Sequence, residues 1–219
     1  MHERNLALVF RYFEVLNRLG NLNDLSGLVF DLDITRSVRK ALRPLGVKVC
    51  VNYSTVADYE QVIVSSYFDP SVDGYGQYEL WLTYRSKGQF LHYGRHVEQL
   101  KVDIADSLVH EYVHCLQYEQ GACAKDASSD LEYMSDDIEI DAYSVNCSYE
   151  LVRRLQSNAL QLDHLIKLSR MPKPTSCPYS FTLWQYAQLF KKDSPVWKQF
   201  LKKTYKNVSW LVAHPEICL

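Results

Sequence analysis

Residues 107–117 read SLVHEYVHCLQ and contain two histidines, His110 and His114, on either side of Glu111. In an α-helix, residues four positions apart lie on the same face, roughly 6 Å from each other. Both imidazoles can therefore present a ring nitrogen to one ion. The residues that surround these three side chains, Tyr112, Val113, Cys115 and Leu116, are uncharged, so this helix can be buried with only its three polar groups facing a cleft.

The spacing of this motif suits zinc-dependent hydrolysis. A zinc ion with three protein ligands keeps a fourth position for water and lowers the pKa of that water to about 7. Glu111 can then accept the proton and pass it to a leaving amine. The alternative is a surface or interface helix that carries the pattern by coincidence. Burying two histidines and a glutamate without a partner would be costly, and we therefore predict a metal site.

A third ligand is expected from the next helical segment, SDDIEIDAYS at 135–144. Its acidic residues lie close together, and helix geometry alone leaves all four open as ligands: Asp136, Asp137, Glu139 and Asp141. Glu139 has the longer side chain, whereas Asp141 lies nearer the apolar stripe of the helix. Acids at the start of a helix also interact favourably with its N-terminus without binding any metal. We predict this structural role for Asp136.

His110-Glu111-x-x-His114, followed 25 positions later by Glu139-x-x-Ala142, resembles the zincin metallopeptidases of the gluzincin type over roughly residues 75–155. The resemblance implies one zinc ion per chain, held by His110, His114 and Glu139, with Glu111 as general base and a peptide or protein as substrate. Asp141 is the second choice of ligand. The chain departs from the family at Tyr143, where Asp or Asn is frequent. Either Asp141 or Asp137 orients a zinc-bound histidine instead, or the chain lacks such a group.

Helices precede and follow a group of strands, an order that predicts an α+β fold. With the resemblance, we expect a zincin-like arrangement: a small, mostly antiparallel sheet, an active-site helix and surrounding helices. The predicted elements are helices at 4–19 and 36–45 (the latter capped by Thr35), a strand at 47–53, hairpin strands at 60–68 and 77–85, and helices at about 97–121, 138–155, 181–191 and 195–207. We expect the strand around 78–84 to line the cleft and pair with an extended peptide.

Length and composition restrict the classes of protein. The 219 residues are 47% hydrophobic, which is enough for one core, and we predict a single domain 1–219 with a catalytic core at about 47–157 and a helical C-terminal part at about 158–219. A net charge of −2 gives no reason to expect nucleic-acid binding. Because neither a signal peptide nor a transmembrane segment is recognisable, we expect a cytoplasmic protein without a membrane partner. The oligomeric state is left open.

Other polar residues are weaker candidates. An oxyanion donor could come from His164 or Tyr143, with Tyr179 and Tyr186 as further tyrosines. His92 and His96 could flank the cleft or bind a second ion, but we expect them to lie in a solvated loop. The chain could instead be an inactive zincin-fold interaction module, or hydrolyse a non-peptide amide. The intact Glu111 favours the enzyme, since a purely structural site has no use for it.

Overall fold

The computed structural model describes residues 2–24, 27–57, 61–71, 76–92, 95–122, 127–158, 162–171 and 180–214. The chain forms two compact units, Met1–Leu116 and Gln117–Leu219. The division falls inside helix α3 (Arg95–Glu119). The helix is therefore shared, and its last turn belongs to the second unit. The α+β class predicted from the order of elements is confirmed.

The first unit begins with α1 (His2–Arg18), a 3-10 helix (Leu19–Asp24) and α2 (Asp31–Leu42). The predicted first helix is confirmed, and one of its apolar side chains, Phe10, is 68% exposed. The buried apolar side chains of α1 recur at helical spacing and are Leu8, Val9, Tyr12 and Val15. Apolar residues occur on more than one side of this helix, so periodicity alone does not fix which side faces the core.

Helix α2 begins five residues before the predicted start at Arg36 and has no side-chain cap. The expectation that Thr35 caps it is wrong. Two acids in its first turn, Asp31 and Asp33, favour the earlier start through the helix dipole. Thr35 is instead buried within the helix, with its hydroxyl 3.1 Å from the Tyr84 hydroxyl.

A three-stranded sheet of β2 (Val47–Tyr53), β3 (Ile63–Asp69) and β4 (Gln77–Tyr84) has the order β2-β4-β3. The predicted hairpin is confirmed, since β3 and β4 pair antiparallel, whereas β2 pairs parallel to β4. Two three-residue strands, β1 (Leu28–Phe30) and β5 (Phe90–His92), form a separate antiparallel pair. Runs of three residues are too short to show a strand period, and neither was predicted.

Strand β4 lies between two partners, and both its edges take part in the ladder. The expectation that the strand around 78–84 pairs with an extended peptide is therefore wrong, because its backbone groups are already used. Its two faces differ, with Leu80, Leu82 and Tyr84 buried and Trp81 exposed. Within the described strands, β3 lies at the edge of this sheet.

The second unit contains α4 (Asp130–Tyr133), α5 (Asp137–Asn158), α6 (Leu162–Ser169), α7 (Phe181–Leu189) and α8 (Pro195–Val212). Helix α5 packs against α8. The serines before α7 and α8, Ser180 and Ser194, each accept a hydrogen bond from a backbone N–H in the first turn, as N-caps do. The predicted helices in these two regions are confirmed. Among the described helices, none combines the length and apolarity needed to cross a bilayer.

Candidate metal centre

Helix α3 places His110 and His114 one turn apart with their rings turned toward each other. Their Nε2 atoms are 3.0 Å apart, and the ring planes meet at 77°. His110 is buried and His114 is half-buried. Two nitrogens that each lie about 2.05 Å from a tetrahedral zinc ion would be roughly 3.3 Å apart. The observed separation is close to that value, so the two rings converge as ligands of one ion would.

Glu139 completes a group with the two histidines. One ligand atom from each of His110, His114 and Glu139 lies within 4.8 Å of the others. Glu139 is in the first turn of α5 and is only 3% exposed. A group of two imidazoles and one carboxylate could hold a metal ion. These donors are typical of catalytic zinc sites and also bind iron(II) in other proteins, so the donor set alone leaves the identity of the metal open.

Glu111 lies between the two histidines in the sequence and is 8% exposed. Its Oε1 accepts a hydrogen bond of 3.0 Å from the Ser66 hydroxyl of β3. The same hydroxyl oxygen is 2.6 Å from Oγ of Ser107, which precedes Glu111 by one turn of α3. One oxygen of the carboxylate is therefore held by the sheet beside the helix.

The acids near Glu139 have partners of their own. Asp136 caps α5, because its Oδ1 accepts from the Ile138 N–H at 3.0 Å. Asp137 accepts from the side-chain amide of Gln199 at 2.8 Å. The contact of Asp136 is that of an N-cap, whereas Asp137 links the start of α5 to α8.

Asp141, the second-choice ligand, forms an ion pair of 3.3 Å with Lys203. It also accepts a hydrogen bond of 3.2 Å from the Gln117 side chain. Gln117 is in the last turn of α3 and donates as well to the Ile138 carbonyl, at 3.1 Å. Among the described acids near the start of α5, the group that could hold a metal contains Glu139 and not Asp141.

The candidate oxyanion donors differ in their surroundings. His164 is exposed on α6. Tyr186 is fully buried, and its hydroxyl donates to the Met134 carbonyl at 3.0 Å. Burial raises the pKa of Tyr186 well above its usual value. Tyr143 follows Glu139 by one turn of α5 and is half-buried, with its ring edge-on to that of Tyr186 at 5.8 Å.

The remaining candidates from the sequence are either placed elsewhere or lie outside the described residues. His92 belongs to β5 and His96 to the first turn of α3, so the expected solvated loop is wrong. Tyr179 is not among the described residues. No role for these residues follows from their positions.

Sequence reasoning did not find Ser66, Ser107 or Gln117. Strand alternation does place Ser66 on the same face as Phe68, which is buried. That periodicity could have assigned Ser66 to the inner face of the sheet. It could not have named the partner, because Ser66 and Glu111 are 45 positions apart and belong to different elements.

Comparison with known proteins gives no match to a family model, a curated protein or a solved structure. What the structure supports is therefore coarser than a family: a group on α3 and α5 that could hold a metal ion and is consistent with a zincin-like site, in an α+β fold with α3 next to the sheet.

Proposed function

We propose that this chain is a zinc-dependent peptidase, with zinc bound by His110, His114 and Glu139 and with Glu111 as general base. The observation that carries the proposal is the convergence of the three ligand atoms within 4.8 Å of one another. The position of Glu111, between the two histidines on the same helix, supports a catalytic site over a purely structural one.

A bound zinc ion would act as a Lewis acid and increase the acidity of a coordinated water. Glu111 accepts a proton from the attacking water as the bond from its oxygen to the peptide carbonyl carbon forms. The same carboxyl group delivers that proton to the amide nitrogen as the C–N bond breaks. The second proton of the attacking water passes from the new carboxyl group to the amine, so the products are a carboxylate and an ammonium group, and Glu111 returns to its starting state.

The position of β3 supports a peptide as substrate. Within the described sheet β3 is an edge strand, and an edge strand can add an extended peptide through backbone hydrogen bonds. Ser66 of this strand contacts Glu111, so the strand runs beside the proposed general base.

The test is cleavage of a mixed peptide library, read by mass spectrometry, together with elemental analysis of the purified protein. We expect about one zinc per chain, cleavage that a zinc chelator abolishes, and recovery on addition of zinc. Glu111→Gln should keep the zinc and reduce cleavage by about 10²-fold to 10⁴-fold, the usual contribution of a general base. Glu119→Gln, an exposed position on the same helix, is the matched control and should cleave normally.

Two results would contradict the proposal. The first is a protein that binds no zinc from solution. The second is a zinc-loaded protein that cleaves no peptide, or that cleaves equally well with Gln at position 111.

A further inference from the structure

We infer that Ser66 is a positioning residue, which fixes the carboxylate of Glu111 through one of its two oxygens. The importance of this contact for turnover rests on the proposed function, whereas the contact itself does not. Ser66 is the residue of β3 whose hydroxyl lies within hydrogen-bond distance of Oε1 of Glu111, at 3.0 Å. A search for chemistry along α3 alone would miss this residue, because it belongs to the sheet.

The protons of the two serine hydroxyls can be assigned from the distances. Ser66 Oγ is 2.6 Å from Ser107 Oγ, 3.0 Å from the Ser107 carbonyl and 3.0 Å from Glu111 Oε1. Each hydroxyl has one proton to donate, and an ionised carboxylate only accepts. A bond to a charged acceptor is stronger than one to a neutral carbonyl. Ser107 therefore donates to Ser66, and Ser66 donates to Glu111.

In this arrangement the two oxygens of the Glu111 carboxylate have different roles. Oε1 receives the Ser66 hydrogen bond, and Oε2 is left to exchange the proton with water and the leaving amine. A glutamate side chain has three rotatable bonds, and holding one oxygen restricts them before the substrate arrives. Catalytic groups depend on such preorganisation, since a small misplacement can cost a large factor in rate.

The backbone of Ser66 is held in place by strand pairing. Ser66 lies in the β3–β4 ladder, opposite the fully buried Leu80. Its neighbour Ser65 points to the other face of the sheet, is exposed, and lies opposite Trp81. The chain thus provides a matched control: two adjacent serines in one strand, of which only Ser66 lies on the face toward Glu111.

The first test uses metal-free protein and needs no enzymatic activity. A double-mutant cycle in urea unfolding combines Ser66→Ala with Glu111→Ala. We expect a coupling of about tenfold in the unfolding equilibrium constant, as for a hydrogen bond to a charged group. The same cycle with Ser65→Ala should give a coupling within about twofold of unity. Equal coupling in the two cycles would overturn the inference.

The second test uses the zinc-loaded protein and a peptide from the library. Ser66→Ala should lower kcat by about tenfold or more, with KM and zinc content unchanged, and Ser66→Thr should restore most of kcat because it returns the hydroxyl. Loss of zinc in Ser66→Ala, or no recovery with Thr in a folded protein, would overturn the positioning role.

The two tests separate this inference from the proposed function. An active peptidase with no Ser66–Glu111 coupling overturns the inference and leaves the function standing. Coupling in a protein that cleaves no peptide overturns the function, while the placement of Glu111 by Ser66 stands.

Discussion

The Nε2 atoms of His110 and His114 lie 3.0 Å apart across one turn of α3. Side chains at this spacing on a helix start about 5–6 Å apart at Cβ, so both rings must turn inward to bring these nitrogens together. In metal-free protein one of the two nitrogens donates a proton and the other accepts it. Metal binding would replace this proton, since both nitrogens must then act as ligands.

Removal of either histidine should prevent metal binding. We expect His110→Ala and His114→Ala to weaken zinc affinity by more than about 100-fold, because two protein ligands hold zinc far less tightly than three. Affinity can be measured by competition with a chromogenic chelator, and content by elemental analysis. His164→Ala changes an exposed histidine on α6 and should retain zinc. Normal zinc content in either ligand variant would exclude the proposed site.

The third ligand can be tested by comparing Glu139→Gln with Asp141→Asn. The amide variant at Glu139 removes the charge of a ligand, and we expect a loss in zinc affinity of about 100-fold or more. Asp141 already pairs with Lys203, so Asp141→Asn should lower affinity by no more than about tenfold, the lower end for residues that support ligands. The reverse order, with Asp141→Asn the more damaging, would assign the third ligand to Asp141.

The sequence predicted the two histidines because their geometry is local, whereas Glu139 was predicted from the resemblance to a family. Helical spacing sets the relation between His110 and His114, and the family pattern supplies Glu139 and its distance from Ala142. The buried face of β4 was also predictable, because alternation along a strand depends only on its own residues.

The remaining features depend on pairing between distant segments. The position of β4 between β2 and β3 follows from a parallel pairing of strands that are separated by β3 in the chain, and no local pattern encodes it. The contact of Ser66 with Glu111 depends on how the sheet packs on α3. Helix α2 begins before the predicted residue because acids in its first turn favour the earlier start. The sequence offered both this start and a start capped by Thr35, and the pattern alone did not decide between them.

Gln117 ties the last turn of α3 to α5 and should support the metal site indirectly. Its amide donates to the carbonyl of Ile138 and to the carboxylate of Asp141. These two residues flank Glu139 in the sequence, at one and two positions from it. Gln117→Ala should cost about 1–2 kcal/mol in the free energy of unfolding and weaken zinc binding by about tenfold. Calorimetry and chelator competition can measure the two effects. Gln120→Ala, an exposed position just beyond the helix, should change neither, and a Gln117 variant equal to this control would contradict the expectation.

Tyr205 should make the stability of the protein depend on pH in the alkaline range. Partial burial, followed by the hydrogen bond to Asp163, raises the pKa of Tyr205 to about 12 from an ordinary value of 10.0. The folded protein therefore holds this proton more tightly than the unfolded chain. The resulting stabilisation is complete below pH 10 and is lost as the pH rises toward 12.

The measurement for Tyr205 is urea unfolding of the wild type and of Tyr205→Phe at a series of pH values from 8 to about 11.5. The difference in the free energy of unfolding between the two should be constant up to about pH 10, and should then shift in favour of Tyr205→Phe, which has no phenol to ionise. Because Tyr205 is 36% exposed, solvent screens the effect and the shift should be small. A difference that stays constant over the whole series would show that folding does not raise the pKa of Tyr205.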